Sequence, residues 1–235
     1  MRLSPRQIST PLGPARVHVA RASAALSAEQ PPHGTLLLGH GAGGGIGAAD
    51  LQAVARRALA DGWTVALVEQ PWRVAGRKVA TPPPQLDVGW TAVVEGVDRG
   101  RARLPRPFVF GGRSAGARVA CRLAGPLGAA AVVALAFPLH PPGRPERSRL
   151  AELVGAVEAG LPVLVVQGER DPFGSPAELR AALAAGRPAT SRRGGGPGRL
   201  VHRVRLVAVP GDHGLKGSAG AAADAVQAFL AELDG

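Results

Sequence analysis

Short apolar runs recur along the chain, and helix-length stretches separate them. Residues 34–39, GTLLLG, form a continuous apolar run, as expected of a strand covered on both faces. In AADLQAVARRALA (48–60), Leu51, Val54, Ala55, Ala58 and Leu59 fall at helical spacing. WTVALVEQ (63–70) reads as the next strand, after a stop at Gly62. A proline-rich crossing, TPPPQ, then leads into a helix expected from Leu86 to about Arg99. RPFVFGG (106–112) reads as a strand and SAGARVACRLA (114–124) as a helix. AAAVVALAF (129–137), PVLVVQG (162–168) and VRLVAVPG (204–211) are three more strand-like runs, with helices expected at 147–159, 175–185 and 219–233. Upstream, ARVHVARA (15–22) alternates like an antiparallel strand inside an N-terminal strand region, residues 1–33.

Alternating strands and helices predict the α/β class, with a mostly parallel central sheet and helices on both faces. Functional groups in such a sheet are expected just past the carboxyl ends of strands. A chain of 235 residues suits one domain over 1–235. The Gly-, Pro- and Arg-rich stretch 186–200 is expected to be a mobile basic surface loop.

Composition narrows the picture. Hydrophobic residues make up 46% and aromatics 3%, with no Tyr, which implies a globular core of Ala, Val and Leu rather than rings. A net charge of +11 raises nucleic acid or an anionic membrane as partners. The arginines are scattered, however, only Lys78 and Lys216 are lysines, and no recognition motif or aromatic platform accompanies the charge. No nucleic-acid partner is therefore expected. Cys121 is the only cysteine, so an intrachain disulfide and a cysteine metal cluster are excluded, and it is expected to be a small core residue. With no apolar signal-like segment at the N-terminus and no 18-residue apolar span, the expectation is a soluble cytoplasmic protein without a membrane partner.

GHGAGG (39–44) fits two devices. As Gly39-x-Gly41-x-x-Gly44 it matches a dinucleotide fingerprint, and Glu69, closing the next strand, stands near the spacing of a ribose-binding acid. As His40-Gly41-Ala42-Gly43-Gly44 it is a loop that offers a backbone N–H to an oxyanion. Three later strand ends bear on the choice. Gly112-Arg113-Ser114-Ala115-Gly116 matches G-x-S-x-G, whose glycines allow a sharp strand-to-helix turn that exposes the hydroxyl; the plainer reading has Ser114 capping the helix. Asp171, just past 162–168, is placed to orient a histidine, although an Asp before Pro is also a turn former. Glu169 is its neighbour and reads as solvated. His213 follows the last strand in a Gly-rich turn and suits a general base; Asp212, adjacent in the chain, cannot orient its ring.

Ser114, Asp171 and His213 appear in the chain order nucleophile, acid, base, each after its own strand. With LLLGHGAGGG, FGGRSAGARVA, AFPLHPPGRPE, VVQGERDPFG and GDHGLKG, the chain over about 34–233 resembles the α/β-hydrolase superfamily. It is most similar there to the small dienelactone-hydrolase-like group, and to hydrolases related to a testis-expressed α/β-hydrolase-like protein and a non-specific-lethal chromatin complex subunit. The resemblance implies an α/β-hydrolase fold and a carboxylesterase-like serine hydrolase. Ser114 would attack, His213 would move the proton, Asp171 would hold the imidazole, and the N–H groups of Ala42 and Ala115 would form the oxyanion hole. His40, Gly41, Arg113 and His140 are candidates to border the substrate pocket. Arg113 either meets an acidic substrate group or serves packing, and His140, at the rim, is also open to a structural role.

Only Pro138 to Arg149 separates a strand from the next helix at the usual site of a lid, so no lid domain and a shallow, open site are expected. The expected partner is a small ester-like molecule, and no cofactor or metal is called for. A catalytically weak hydrolase fold acting as an interaction module, and a dinucleotide-binding protein, remain as alternatives. Natural substrate and oligomeric state are not legible.

Overall fold

The computed structural model describes residues 1–21, 32–185 and 203–233, so the expected basic loop at 186–200 lies outside the described residues. Among these residues eight strands form one sheet in the order β1-β2-β4-β3-β5-β6-β7-β8. They are β1 (Ser4–Ile8), β2 (Ala15–Ala20), β3 (Thr35–Gly39), β4 (Thr64–Glu69), β5 (Phe108–Arg113), β6 (Ala131–Leu135), β7 (Val163–Gly168) and β8 (Val204–Val209). β1 pairs antiparallel with β2, and β2 antiparallel with β4; the pairings from β4 through β8 are parallel.

Among the described residues seven α-helices connect or follow these strands: α1 (Ala49–Ala60), α2 (Pro71–Val74), α3 (Pro83–Asp98), α4 (Ala115–Leu123), α5 (Leu150–Glu158), α6 (Pro176–Ala185) and α7 (Ala219–Ala231). The strand period of two sends alternate side chains to opposite faces of the sheet. In β3, Leu37 faces the layer of α3 to α6 while Leu36 and Leu38 face α1 and α7. Both faces are therefore covered, which is why β3, β5, β6 and β7 are built mainly from apolar residues.

Besides the short helix α2, which no periodicity signalled, three features depart from the sequence reading. The N-terminal region holds a second strand, β1, whose residues SPRQI are mostly exposed and so carry no apolar pattern. Pro5 is tolerated there because one side of this edge strand has no ladder to complete. Helix α3 begins at Pro83, three residues before Leu86, since prolines in a first turn lack only N–H groups that have no intrahelical acceptor. Rings, though scarce, are concentrated in the core: Trp63, Trp90, Phe108, Phe110 and Phe137 are among the largest fully buried side chains.

The β6–α5 connection, residues 136–149, contains no inserted helix or strand, and no lid domain stands on this sheet among the described residues. No helix among the described residues is long and apolar enough to cross a membrane.

Candidate active site

β5 runs into α4 through a single residue, Ser114, held at a φ of 52° in the left-handed region that L-residues avoid. What permits so abrupt a turn is the absence of side chains around it. A Cβ at Gly112 would lie 2.5 Å from the Gly39 carbonyl oxygen, and one at Gly116 would collide with the same atom. The end of β3 thus presses directly on the turn, and the glycines on both sides of Ser114 are needed for that approach. The Ser114 N–H donates to the Leu135 carbonyl at 2.9 Å. Its side chain makes no capping bond to α4, which excludes the helix-cap reading.

Instead the Ser114 hydroxyl lies 2.9 Å from His213 Nε2, and His213 Nδ1 lies 2.8 Å from Asp171 Oδ2. The three residues come from the loops after β5, β7 and β8. Asp171 has a fully buried carboxylate, and a charge taken out of water needs donors around it. It has three: Gln167 Nε2 donates to Oδ2 at 2.8 Å, the Phe173 N–H donates to Oδ1 at 2.8 Å, and His213 supplies the third. The carboxylate accepts, so Nδ1 carries the imidazole proton and Nε2 is left to accept from Ser114. Asp171 is also a turn former, through Oδ1, so its two oxygens divide the two roles. The Phe173 ring lies over the imidazole, centroids 4.2 Å apart. Asp212 accepts the Gly214 N–H at 2.7 Å, and Glu169 is exposed.

The glycine loop borders this array, with a Cβ at Gly41 falling 3.5 Å from Ser114 Cβ. His40 is 3% exposed, and burial pushes its pKa below 6.5, so it is neutral near pH 7. Its Nδ1 donates to the Gly41 carbonyl at 2.9 Å, while Nε2 accepts the Gln70 N–H at 3.4 Å. In a planar trans peptide C=O and N–H point in opposite directions, so turning the Gly41 carbonyl toward His40 turns the Ala42 N–H away from it. Ala115 opens α4, and its N–H has no intrahelical acceptor. Trp72, on α2, packs its edge against His40 at 5.3 Å.

Arg113 and His140 are turned to protein partners. The Arg113 guanidinium reaches the His213 carbonyl and the Asp50 carboxylate. His140 is 6% exposed; its N–H donates to the Phe173 carbonyl at 3.0 Å and its ring meets Pro141 and Glu178, bracing the loop that carries Asp171. Sequence reasoning missed Gln167, Phe173 and Asp50, which read as ordinary strand, turn and helix-start residues.

The dinucleotide reading loses its supports. α1 begins at Ala49, five positions beyond Gly44, and nothing lies within 4 Å of a Cβ at Gly44. Glu69 is engaged by His18 at 2.7 Å and Arg16 at 3.5 Å. An open groove of about 730 Å³ between β1 and α3 is lined by none of the candidate residues. Among the described residues no group of three His, Cys, Asp or Glu is gathered to hold a metal ion.

Comparison with known proteins bears on the fold. A family model described as alpha/beta hydrolase domain matches residues 32–195. A sequence search of curated proteins gives no match. Among solved structures, a dienelactone hydrolase from Anabaena variabilis is 16% identical, with a TM-score of 0.71 and 99% of each chain covered. An alpha-beta serine hydrolase homologue from Coxiella burnetii is 16% identical, with a TM-score of 0.70, covering 99% of this chain and 97% of the other. A serine hydrolase without lid from Xanthomonas campestris is 20% identical, with a TM-score of 0.65, covering 98% and 96%.

Proposed function

The chain belongs to the alpha/beta hydrolase domain family, and on that premise we propose that it is a serine hydrolase cleaving small ester-like substrates by acyl transfer to water. The observation that carries this reading is the continuous hydrogen-bonded array Ser114–His213–Asp171, with spacings of 2.9 and 2.8 Å.

Ser114 Oγ attacks the carbonyl carbon as His213 Nε2 takes its proton. Asp171 holds the tautomer this requires and stabilises the imidazolium. The tetrahedral oxyanion lies against the N–H groups of Ala42 and Ala115, each such donor contributing about a hundredfold or more in rate. Collapse expels the alcohol, which takes the proton from His213. Water, deprotonated in turn by His213, then releases the acid and regenerates Ser114. The partly exposed nucleophile and the short β6–α5 connection favour a substrate that enters from bulk solvent.

The test is covalent labelling with a fluorophosphonate probe, together with turnover of p-nitrophenyl butyrate. Wild type should label stoichiometrically and turn over, and Ser114→Ala should do neither. A folded wild type that never labels would overturn the hydrolase reading and favour the interaction module.

A further inference from the structure

Arg113 stands beside the nucleophile and carries a charge that the hydrolytic steps do not use. Its side chain is 15% exposed. Nη2 donates to the main-chain carbonyl of His213 at 2.6 Å, across 100 residues of sequence. Nε approaches Asp50 Oδ2 at 2.9 Å. That contact lies off the line of the N–H, so charge attraction rather than a linear hydrogen bond holds it. Asp50 is 1% exposed in the first turn of α1, and its other oxygen accepts the Leu51 N–H. Nη1 lies 3.1 Å from where a Gly41 Cβ would stand, so the same guanidinium also touches the glycine loop.

We infer that Arg113 is a positioning residue for His213: it clamps the base loop to the nucleophile turn, and Asp50 holds the clamp in place. This rests on the hydrolase reading for its effect on rate, although the geometry stands without it.

The physical argument has two parts. The His213 loop leaves β8 through Gly211, whose φ of 120° marks a backbone position open to many conformations. A general base displaced by about 1 Å can lose on the order of a hundredfold in rate. Because Arg113 and Ser114 are consecutive, a bond from Arg113 to the main chain of His213 ties the base to the nucleophile through one residue. The planar guanidinium suits this role, since its fixed fork can meet two partners at once. A bare cation beside His213 would also oppose the imidazolium that forms during attack. Asp50 offsets that charge, and Arg113 in turn keeps the buried carboxylate from standing alone. With Nε and Nη2 held this way, the guanidinium is occupied by the protein rather than presented to a substrate anion.

Arg113→Met leaves Asp50 buried and unpaired, so a loss of rate from that variant alone could reflect damage to the fold. The decisive variant is therefore Asp50→Asn/Arg113→Met, which removes both charges. Three readouts are compared: melting temperature, the rate of Ser114 phosphonylation at saturating fluorophosphonate, and the far-downfield proton resonance of His213 Nδ1–H. The double variant should melt near wild type, label on the order of tenfold or more slowly, and show a broadened or missing resonance. Arg113→Lys should restore part of the rate. A stable double variant with wild-type labelling and resonance would overturn the clamp. The resonance needs no turnover, so a wild type that never labels but shows an Arg113-dependent resonance defeats the hydrolase reading and leaves the clamp standing.

Discussion

Gln167 Nε2 donates to Asp171 Oδ2 at 2.8 Å, so the carboxylate oxygen facing His213 is also held by a fully buried amide four residues earlier in the chain. The same amide nitrogen reaches the Gly174 carbonyl at 2.7 Å and the Phe137 carbonyl at 3.2 Å, joining the acid turn to the end of β6. Gln167→Leu keeps the approximate volume but leaves these buried acceptors without their donor. Unfolding by urea should show a loss of about 2 kcal/mol, and Ser114 labelling should slow several-fold. Unchanged stability would count against Gln167 as the brace of the acid loop.

Glycines in the active-site loops should differ sharply in their tolerance of a methyl group. At Gly116 a Cβ meets the Gly39 backbone, which cannot move without shifting β3, whereas at Gly43 nothing lies within 4 Å. Gly116→Ala should cost about 3 kcal/mol or more and abolish labelling. Gly43→Ala should stay within about 0.5 kcal/mol of wild type. Thermal and urea denaturation of the pair check this order, and equal tolerance would refute the close-packed turn.

His40 should make stability fall in mild acid. Its folded pKa is lowered by burial, with Arg73 acting in the same direction and Glu69 and the Gly41 carbonyl opposing. The folded state therefore binds fewer protons than the unfolded state. The stability this residue contributes is present above 6.5, the ordinary histidine value, and is lost as pH falls toward the folded value. His40→Asn retains an amide donor near the Nδ1 position and removes the titration. Between about pH 7.5 and about pH 5.5 wild type should lose more unfolding free energy than this variant. Parallel curves would exclude a buried neutral His40.

Cys121 should be inert in the native protein. It is 1% exposed, and burial foremost, with Glu152 nearby, pushes its thiol pKa up to about 12. Ellman's reagent should react only after denaturation, and iodoacetamide should leave Ser114 labelling unchanged. Rapid native reaction would show that α4 opens.

Without an inserted lid, turnover should need no lipid interface. The rate against p-nitrophenyl butyrate should rise smoothly through the substrate's solubility limit, and a step at that limit would indicate a covering segment.

The order of residues is enough to specify the local units. Continuous apolar runs mark strands covered on both faces, helical spacing marks the layers, and the glycines around Ser114 mark a turn that side chains would block. Ser114, Asp171 and His213 were legible because each follows a strand, and a parallel sheet gathers strand ends along one edge. What those residues touch follows from how distant segments pack. β1 was invisible because an exposed edge strand owes its existence to pairing with β2 rather than to an apolar pattern. Glu69, suited by spacing to a ribose, is spent on His18 and Arg16 from a strand that lies beside it only after folding. Gln167, Phe173, Asp50 and the partners of Arg113 stayed hidden for the same reason. Periodicity records which face of an element is buried, whereas the partner a buried polar group finds depends on chain segments brought together from as far as 100 residues away.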